Sequence, residues 1–481
     1  MEYNGAPGVG YLVKIHAPAG DGRYIHLTYN ANGLVTQAAL KQGDETLQSV
    51  VYGYTDSGDY GWEATSVTDA GGGTVAYQYD SAPDPVVEGE FAGRHISRIT
   101  DKLGNAYQLG TVMGNSPERG RQPLYVTVTY PDGLETKYHR FEGNEVHTDL
   151  TVTNTKNGAT LNKFQTLCGP HGYRPAKYLF YAEPDDAPAE ADAWTFEYGP
   201  DNLQMELRAI IAPDASVFAE YTYTDNGRLK TSRVGGGPLE EYHYAAGAIY
   251  PYSRTRDGSQ TVSYIYDSQQ RLEGIGGAAG AAAVTYDAAG DIATAQVNGG
   301  SSRTYIRDEW GNLERVEGGP DPEIRAYDAL GNVIARHTVE PFVLELHDFA
   351  DAAHPRKATR IETGLDTYFF SYDANGRVCT VVDPVNGIFD VAYDTSGRMT
   401  AVVNRGTQEA VRVIAYDALG RISDAIDTAQ DLALSFGYDH LSRVNQVSDD
   451  AGNALAYTYG PTGKVTGTTL VSGTANLSLV V

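Results

Sequence analysis

Tyr416-Asp417-Ala418-Leu419-Gly420-Arg421-Ile422 is the stretch on which the fold turns, because it recurs along the chain. Close copies begin at Tyr286 (YDAAGDI), Tyr327 (YDALGNV), Tyr372 (YDANGRV) and Tyr393 (YDTSGRM). Looser copies begin at Tyr29 (YNANGLV), Tyr223 (YTDNGRL), Tyr266 (YDSQQRL), Arg307 (RDEWGNL), Tyr438 (YDHLSRV) and Tyr459 (YGPTGKV). The steps are 20, 21 and 20 residues from Tyr266 to Tyr327, and 21, 23, 22 and 21 from Tyr372 to Tyr459. Nine of the eleven units keep Gly at the fifth place and all eleven keep an apolar residue at the seventh, so the period reports a repeated structural unit. The longer gap before Tyr266 holds a worn unit at Tyr244 (YAAGAI). The gap before Tyr372 predicts another, with a short insertion around residues 341–355.

The residue types say what the unit is. Ahead of the tyrosine the chain alternates, as in Val262-Ser263-Tyr264-Ile265-Tyr266 and Leu455-Ala456-Tyr457-Thr458-Tyr459. Period two is a strand, and it puts Tyr77/Tyr79, Tyr221/Tyr223 and Tyr242/Tyr244 in pairs on one face. Asp-x-x-Gly is a turn: the carboxylate accepts from N–H groups two residues on, and Gly takes a positive φ at no steric cost. A second strand is predicted to start at the seventh residue (Val378, Met399, Ile422, Val444). Each repeat is therefore a β-hairpin of about 21 residues, and the fold class is all-β, a long antiparallel ribbon.

The first two-fifths is looser. Ile99-Thr100-Asp101-Lys102-Leu103-Gly104-Asn105 is a degenerate relative of the unit, while residues 81–90, 114–123 and 183–193 are rich in Pro, Asp, Gly or Ala and read as loops or linkers. The expected division is a degenerate region 1–200 and a regular repeat region 201–481.

Composition limits function. The 481 residues carry 36 Lys+Arg against 62 Asp+Glu, net −26, which repels a phosphate backbone and anionic membrane and argues against a nucleic-acid partner. No run approaches the roughly 18–20 apolar residues of a membrane span, so membrane insertion is not expected. Met1-Glu2-Tyr3-Asn4-Gly5 lacks the basic and apolar regions of a signal peptide. Two cysteines, Cys168 and Cys379, cannot make a disulfide framework.

The Tyr-Asp-x-x-Gly-Arg-apolar unit resembles the YD-repeat (Rhs) family, whose members include Rhs polymorphic toxins, the B and C subunits of Tc toxin complexes and the teneurins. The clear resemblance covers about residues 215–470, with weaker matches back to Tyr29. It implies a ribbon that spirals into a β-sheet shell, incomplete if this chain is a fragment, which in toxin members encloses a C-terminal toxic domain. It further implies polypeptide cargo or other chains of a toxin complex as partners, in a bacterial, secreted or cell-surface protein exported by a route not encoded here. The family's self-cleaving DPxGL-like core motif is absent: Asp84-Pro85, Asp321-Pro322 and Asp383-Pro384 are the only Asp-Pro pairs, none followed by Gly-Leu. No toxin domain follows Leu477-Ser478-Leu479-Val480-Val481 either, so the expectation is a non-catalytic shell or scaffold. The alternative is an extracellular adhesion or carbohydrate-binding module recognising a cell-surface glycan or protein. An enzyme has support only from the unassigned residues 183–193 and 339–355.

Candidate chemistry is thin, and no catalytic, cofactor-binding or metal residue is assigned. Gly460-Pro461-Thr462-Gly463-Lys464 is a repeat turn rather than a phosphate loop, because Thr458 stands where the first Gly belongs and Val465 follows the Lys. Gly274-Ile275-Gly276-Gly277-Ala278-Ala279 fits a relaxed dinucleotide fingerprint but leaves no room for its helix before Tyr286. Cys168 and His171, with His139 and His147 nearby, fall short of the four convergent ligands zinc takes. Repeat aspartates (Asp287, Asp373, Asp394, Asp417, Asp439) already have a turn role. Repeat arginines (Arg228, Arg377, Arg398, Arg421, Arg443) are expected to pair with Asp or stack on Tyr. The 35 tyrosines are expected to form a cross-strand ladder, side by side from repeat to repeat; the competing reading is a sugar-binding platform.

Overall fold

The computed structural model describes the chain apart from residues 4–9, 17–21, 59–60, 84–90, 117–119, 144–146, 169–173, 184, 187–191, 200–205, 320–321, 339–342, 461, 473–474 and 481. Its secondary structure is 41 strands, with no α-helix among the described residues. No helix is therefore long and apolar enough to cross a membrane.

The chain divides into two compact units. One holds Met1–Ser81, Gly93–Gln108 and Thr285–Ala410; the other holds Ala82–Ala92, Leu109–Val284 and Val411–Val481. Within each, strands pair antiparallel with the next in sequence, as Asp366–Tyr372 with Val378–Asp383, or Leu432–Tyr438 with Val444–Asp449. The second strands begin at Val378, Met399, Ile422 and Val444, where the apolar seventh residue placed them.

Most of the tyrosine turns carry a bulge that alternation alone does not reveal. Ala392 faces Ala401 but Tyr393 faces Met399, so one extra residue of the second strand is skipped at the tyrosine. The same shift occurs at Tyr372, Tyr416, Tyr438 and Tyr459, and at Arg307 where Tyr is missing. A bulge bends its strand and raises the local twist, and here it does so at each of these turns.

All three expected loops contain strand residues. The strand Thr74–Pro83 takes in the start of residues 81–90. Strands Ala106–Ser116 and Gly120–Thr129 cover most of 114–123. Pro83 and Pro123 misled the reading because Pro is compatible with a strand wherever its missing N–H is not needed for the ladder. Residues 183–193 fall partly outside the described residues; the Asp186 N–H donates to the Glu183 carbonyl, and Asp192 opens the strand Asp192–Tyr198. The gap before Tyr372 holds the predicted worn repeat: strands Val343–Asp348 and Arg360–Thr363 pair across a loop with a turn at Asp351.

Burial is shallow. The buried apolar side chains are mostly small (Ala39, Ala212 and Ala219 with Val152, Leu179, Tyr181 and Val316), and no large side chain is fully buried among the described residues. The chain exposes 27539 Å², where a compact protein of this mass exposes about 17,000 Å². Few strand side chains are fully buried, as in Met399–Asn404, where every residue is half-buried.

Candidate functional site: the tyrosine turns

The turn at Tyr393 shows how the motif works. Asp394 Oδ1 accepts from the N–H groups of Ser396 at 3.0 Å and Arg398 at 2.9 Å. Its Oδ2 accepts from Arg398 Nε at 2.7 Å. Gly397, at φ 83, donates its N–H to the Asp394 carbonyl. One carboxylate thus satisfies two backbone donors and one guanidinium, and only Gly fits the left-handed position without strain. Asp267/Arg271, Asp373/Arg377, Asp417/Arg421 and Asp439/Arg443 repeat the pairing, each with an Nε–Oδ2 distance of 2.7 Å. At Asp267 the backbone N–H of Arg271 leads the interactions that hold the carboxyl below the usual range.

Where the sixth residue is Asn, its side-chain amide replaces the guanidinium. Asn105, Asn312, Asn332 and Asn453 donate Nδ2 to Asp101, Asp308, Asp328 and Asp449 at 2.7–3.0 Å. At these four turns a neutral amide does the work of the charged guanidinium. Where Gly is missing, Gln270 and Ser442 hold the left-handed position at φ 64 and 60.

The arginines do both things expected of them, at once. While Nε is bound to its aspartate, the guanidinium lies over the tyrosine of the next repeat: Arg377 over Tyr393 at 4.4 Å, Arg421 over Tyr438 at 4.3 Å, Arg443 over Tyr459 at 4.4 Å. That tyrosine reaches back with its hydroxyl. Tyr393 donates to the Val378 carbonyl (2.8 Å), Tyr438 to Ile422 (2.7 Å), Tyr459 to Val444 (2.6 Å) and Tyr327 to Leu313 (2.7 Å). Even the degenerate unit complies, because Arg307 Nη1 donates to the Ile292 carbonyl at 2.7 Å.

The expected ladder of tyrosines side by side is therefore corrected. At Tyr393, Tyr438 and Tyr459 an arginine lies over the ring, and the hydroxyl locks onto the backbone of the preceding turn instead of the rings packing on each other. Stacked tyrosine pairs occur at Tyr11/Tyr29 and Tyr250/Tyr266. Burial raises the phenol pKa of Tyr223, Tyr372 and Tyr393.

The worn repeat substitutes part by part. Asp351 Oδ1 accepts from the Ala353 N–H, its Oδ2 contacts His354 Nδ1 at 2.9 Å, and Lys357 lies over Tyr372 at 5.5 Å. Beside it lies an open cleft of about 420 Å³, lined by Asp69, residues 71–74, Lys102, Ala353 and Ala374, with Lys102 ion-paired to Asp69.

The remaining sequence candidates fall out as follows. Gly460 and Gly463 close a repeat turn that leads into the strand Val465–Ser472, not a helix. Gly274–Gly277 lie in the strand Leu272–Gly277. His171 and the side chain of His147 lie outside the described residues, and no group of three or more His, Cys, Asp or Glu side chains converges among those described. Sequence reasoning missed the backbone lock and the Asn substitution, although the predominance of side-chain donors at the sixth place was a usable signal.

Repeated bulged hairpins locked in this way characterise a family. A family profile described as Teneurin YD-shell matches residues 195–441, just over half of the chain. The chain belongs to the teneurin YD-shell family. Among solved structures, this YD-shell chain is similar to one in a crystal structure of TcdB2-TccC3-Cdc42 (TM-score 0.58, 11% identity), covering 95% of this chain and 27% of that one. A TcdB2-TccC3-TEV crystal structure gives TM-score 0.51 at 12% identity, with 95% and 26% coverage. At such identities the likeness is one of fold, and the YD-shell chain spans about a quarter of the length of those chains. No curated protein matches.

Proposed function

We propose that this chain is a non-catalytic wall, a YD-repeat scaffold that works by enclosing or holding other polypeptide within a toxin-type assembly. The carrying observation is the exposed area, 27539 Å² against about 17,000 Å² for a compact chain. So much surface suits a protein whose faces meet something else. The TcdB2-TccC3 likeness supports other toxin chains as partners, and a secreted or extracellular setting follows from the same reading. The division at residue 200 is retained as a proposal about repeat regularity. The sugar-platform alternative is disfavoured, because the rings of Tyr393, Tyr438 and Tyr459 carry an arginine on one face and spend their hydroxyls on backbone.

Single-particle electron microscopy of the purified chain tests the reading. The expected image is a wall one sheet thick, about 10 Å, bounding low density. A solid particle would overturn it.

A further inference from the structure

The third and fourth places of the repeat vary freely, and their side chains take no part in the bonding of their own turn. Within each unit they meet something distant. Trp310, at a fourth place, lies under the Arg23 guanidinium at 3.7 Å, and Arg23 also donates to the carbonyl of Ala329, at a third place. Ala353, fourth in the worn unit, occupies the space a Cβ on Gly71 would need. Asn375, at a fourth place, donates Nδ2 to Asp101 Oδ2 at 2.8 Å. In the other unit, His440 at a third place contacts Asp192 at 2.7 Å. The sixth-place Lys464 donates to the Gly235 carbonyl at 3.2 Å.

The partners share a location. Turns alternate between the two margins of a hairpin ribbon, and the tyrosine turns all fall on one margin. Arg23, Gly71, Asp101, Asp192 and Gly235 all lie at the opposite margin of earlier hairpins. The separations fall steadily along the chain: 306, 274, 248 and 229 residues for Arg23–Ala329, Asp101–Asn375, Asp192–His440 and Gly235–Lys464. Six strands separate Asp101 from Asp192 and six separate Asn375 from His440, a one-to-one match of hairpins over that interval, whereas four early strands run from Asp192 to Gly235 against two from His440 to Lys464. The early strands Phe91–Thr100, Ala106–Ser116 and Leu134–Gly143 have 10, 11 and 10 residues, whereas Val378–Asp383, Met399–Asn404 and Ile422–Asp427 have 6 each. Each early hairpin consumes more chain than the late one resting on it.

We infer that the third- and fourth-place residues of the late turns are specificity determinants, setting which early hairpin margin each turn seats against. The conserved places build the turn; the variable pair addresses it. The inference does not depend on what the wall encloses.

Disulfide trapping in the full chain, with Cys168 and Cys379 replaced by Ser, tests it. Asp101→Cys with Asn375→Cys, whose side chains meet at 2.8 Å, should close under mild oxidation. Asp101→Cys with Ser396→Cys, one repeat out of register, should not, because adjacent repeats lie two strands or roughly 9–10 Å apart and a disulfide needs Cα atoms within about 7 Å. Equal closure of both pairs, or closure of the mismatched pair alone, overturns the inference. A cycle with Asp192→Ala and His440→Ala guards against misfolding of the cysteine variants. Each single change should speed amide exchange at residues 441–443 several-fold and the double change no further; additive effects would show that the two residues do not read each other.

Discussion

Tyr393 combines three roles in one side chain: a half-buried ring, a cation–π partner for Arg377 at 4.4 Å and a hydroxyl on the Val378 carbonyl at 2.8 Å. Separating them gives a graded expectation. Tyr393→Phe should cost about 1 kcal/mol, the net worth of one hydrogen bond. Tyr393→Ala should cost roughly 2 kcal/mol, about half of what a fully buried aromatic loses. Local opening free energies from hydrogen exchange in the strand Met399–Asn404 would measure both. Equal losses for the two variants would mean that the ring contributes nothing, and an unchanged value for Phe would mean that the backbone lock is idle.

At the scale of the element, the hairpin is set by a five-residue connection whose fifth-place residue needs a positive φ. Gln270 and Ser442 adopt it at φ 64 and 60, which costs a non-Gly residue about 1 kcal/mol. Gln270→Gly and Ser442→Gly should each stabilise their hairpin by about 0.5–1 kcal/mol, the steric relief being partly offset by the greater freedom of Gly in the unfolded chain. Slower exchange in strands Leu272–Gly277 and Val444–Asp449 would register the gain. Loss of stability would show that these two side chains make contacts outweighing the strain. The hairpin was legible beforehand because Asp, Gly and an apolar seventh residue are local requirements. The bulge at the tyrosine was not, since one skipped residue leaves the run of residue types on each strand looking like uninterrupted alternation.

Across the whole molecule, stability should fall away at both ends of the pH scale. The carboxyls of Asp267 and Asp449 lie below the usual range, held first by the Arg271 backbone N–H and by the Asn453 side-chain amide respectively. A depressed folded-state pKa stabilises the fold at pH values above the unfolded value of about 3.9. That contribution is lost as pH falls through the lower folded value. The phenols of Tyr223, Tyr244, Tyr266, Tyr372 and Tyr393 are raised by burial. Their contribution is present below about pH 10 and fades as pH climbs through the higher folded values. Thermal melts should therefore be flat from about pH 5 to 9 and drop outside that window. A melting temperature that does not fall between about pH 9 and 11 would show that these five phenols contribute nothing.

The amino-acid sequence by itself determined the repeat, its hairpin, its turn chemistry and the family, because each depends on residues within about seven places of one another. The pairing of Arg with Asp was readable for the same reason. Only the tertiary structure decided that tyrosine locks to the preceding turn's carbonyl, that Arg307 can do the same work, and that Asn375 meets Asp101 across 274 residues. Those contacts arise from how one hairpin is stacked on another. Spacing along the chain does not encode that stacking, because strand length varies between the early and late hairpins.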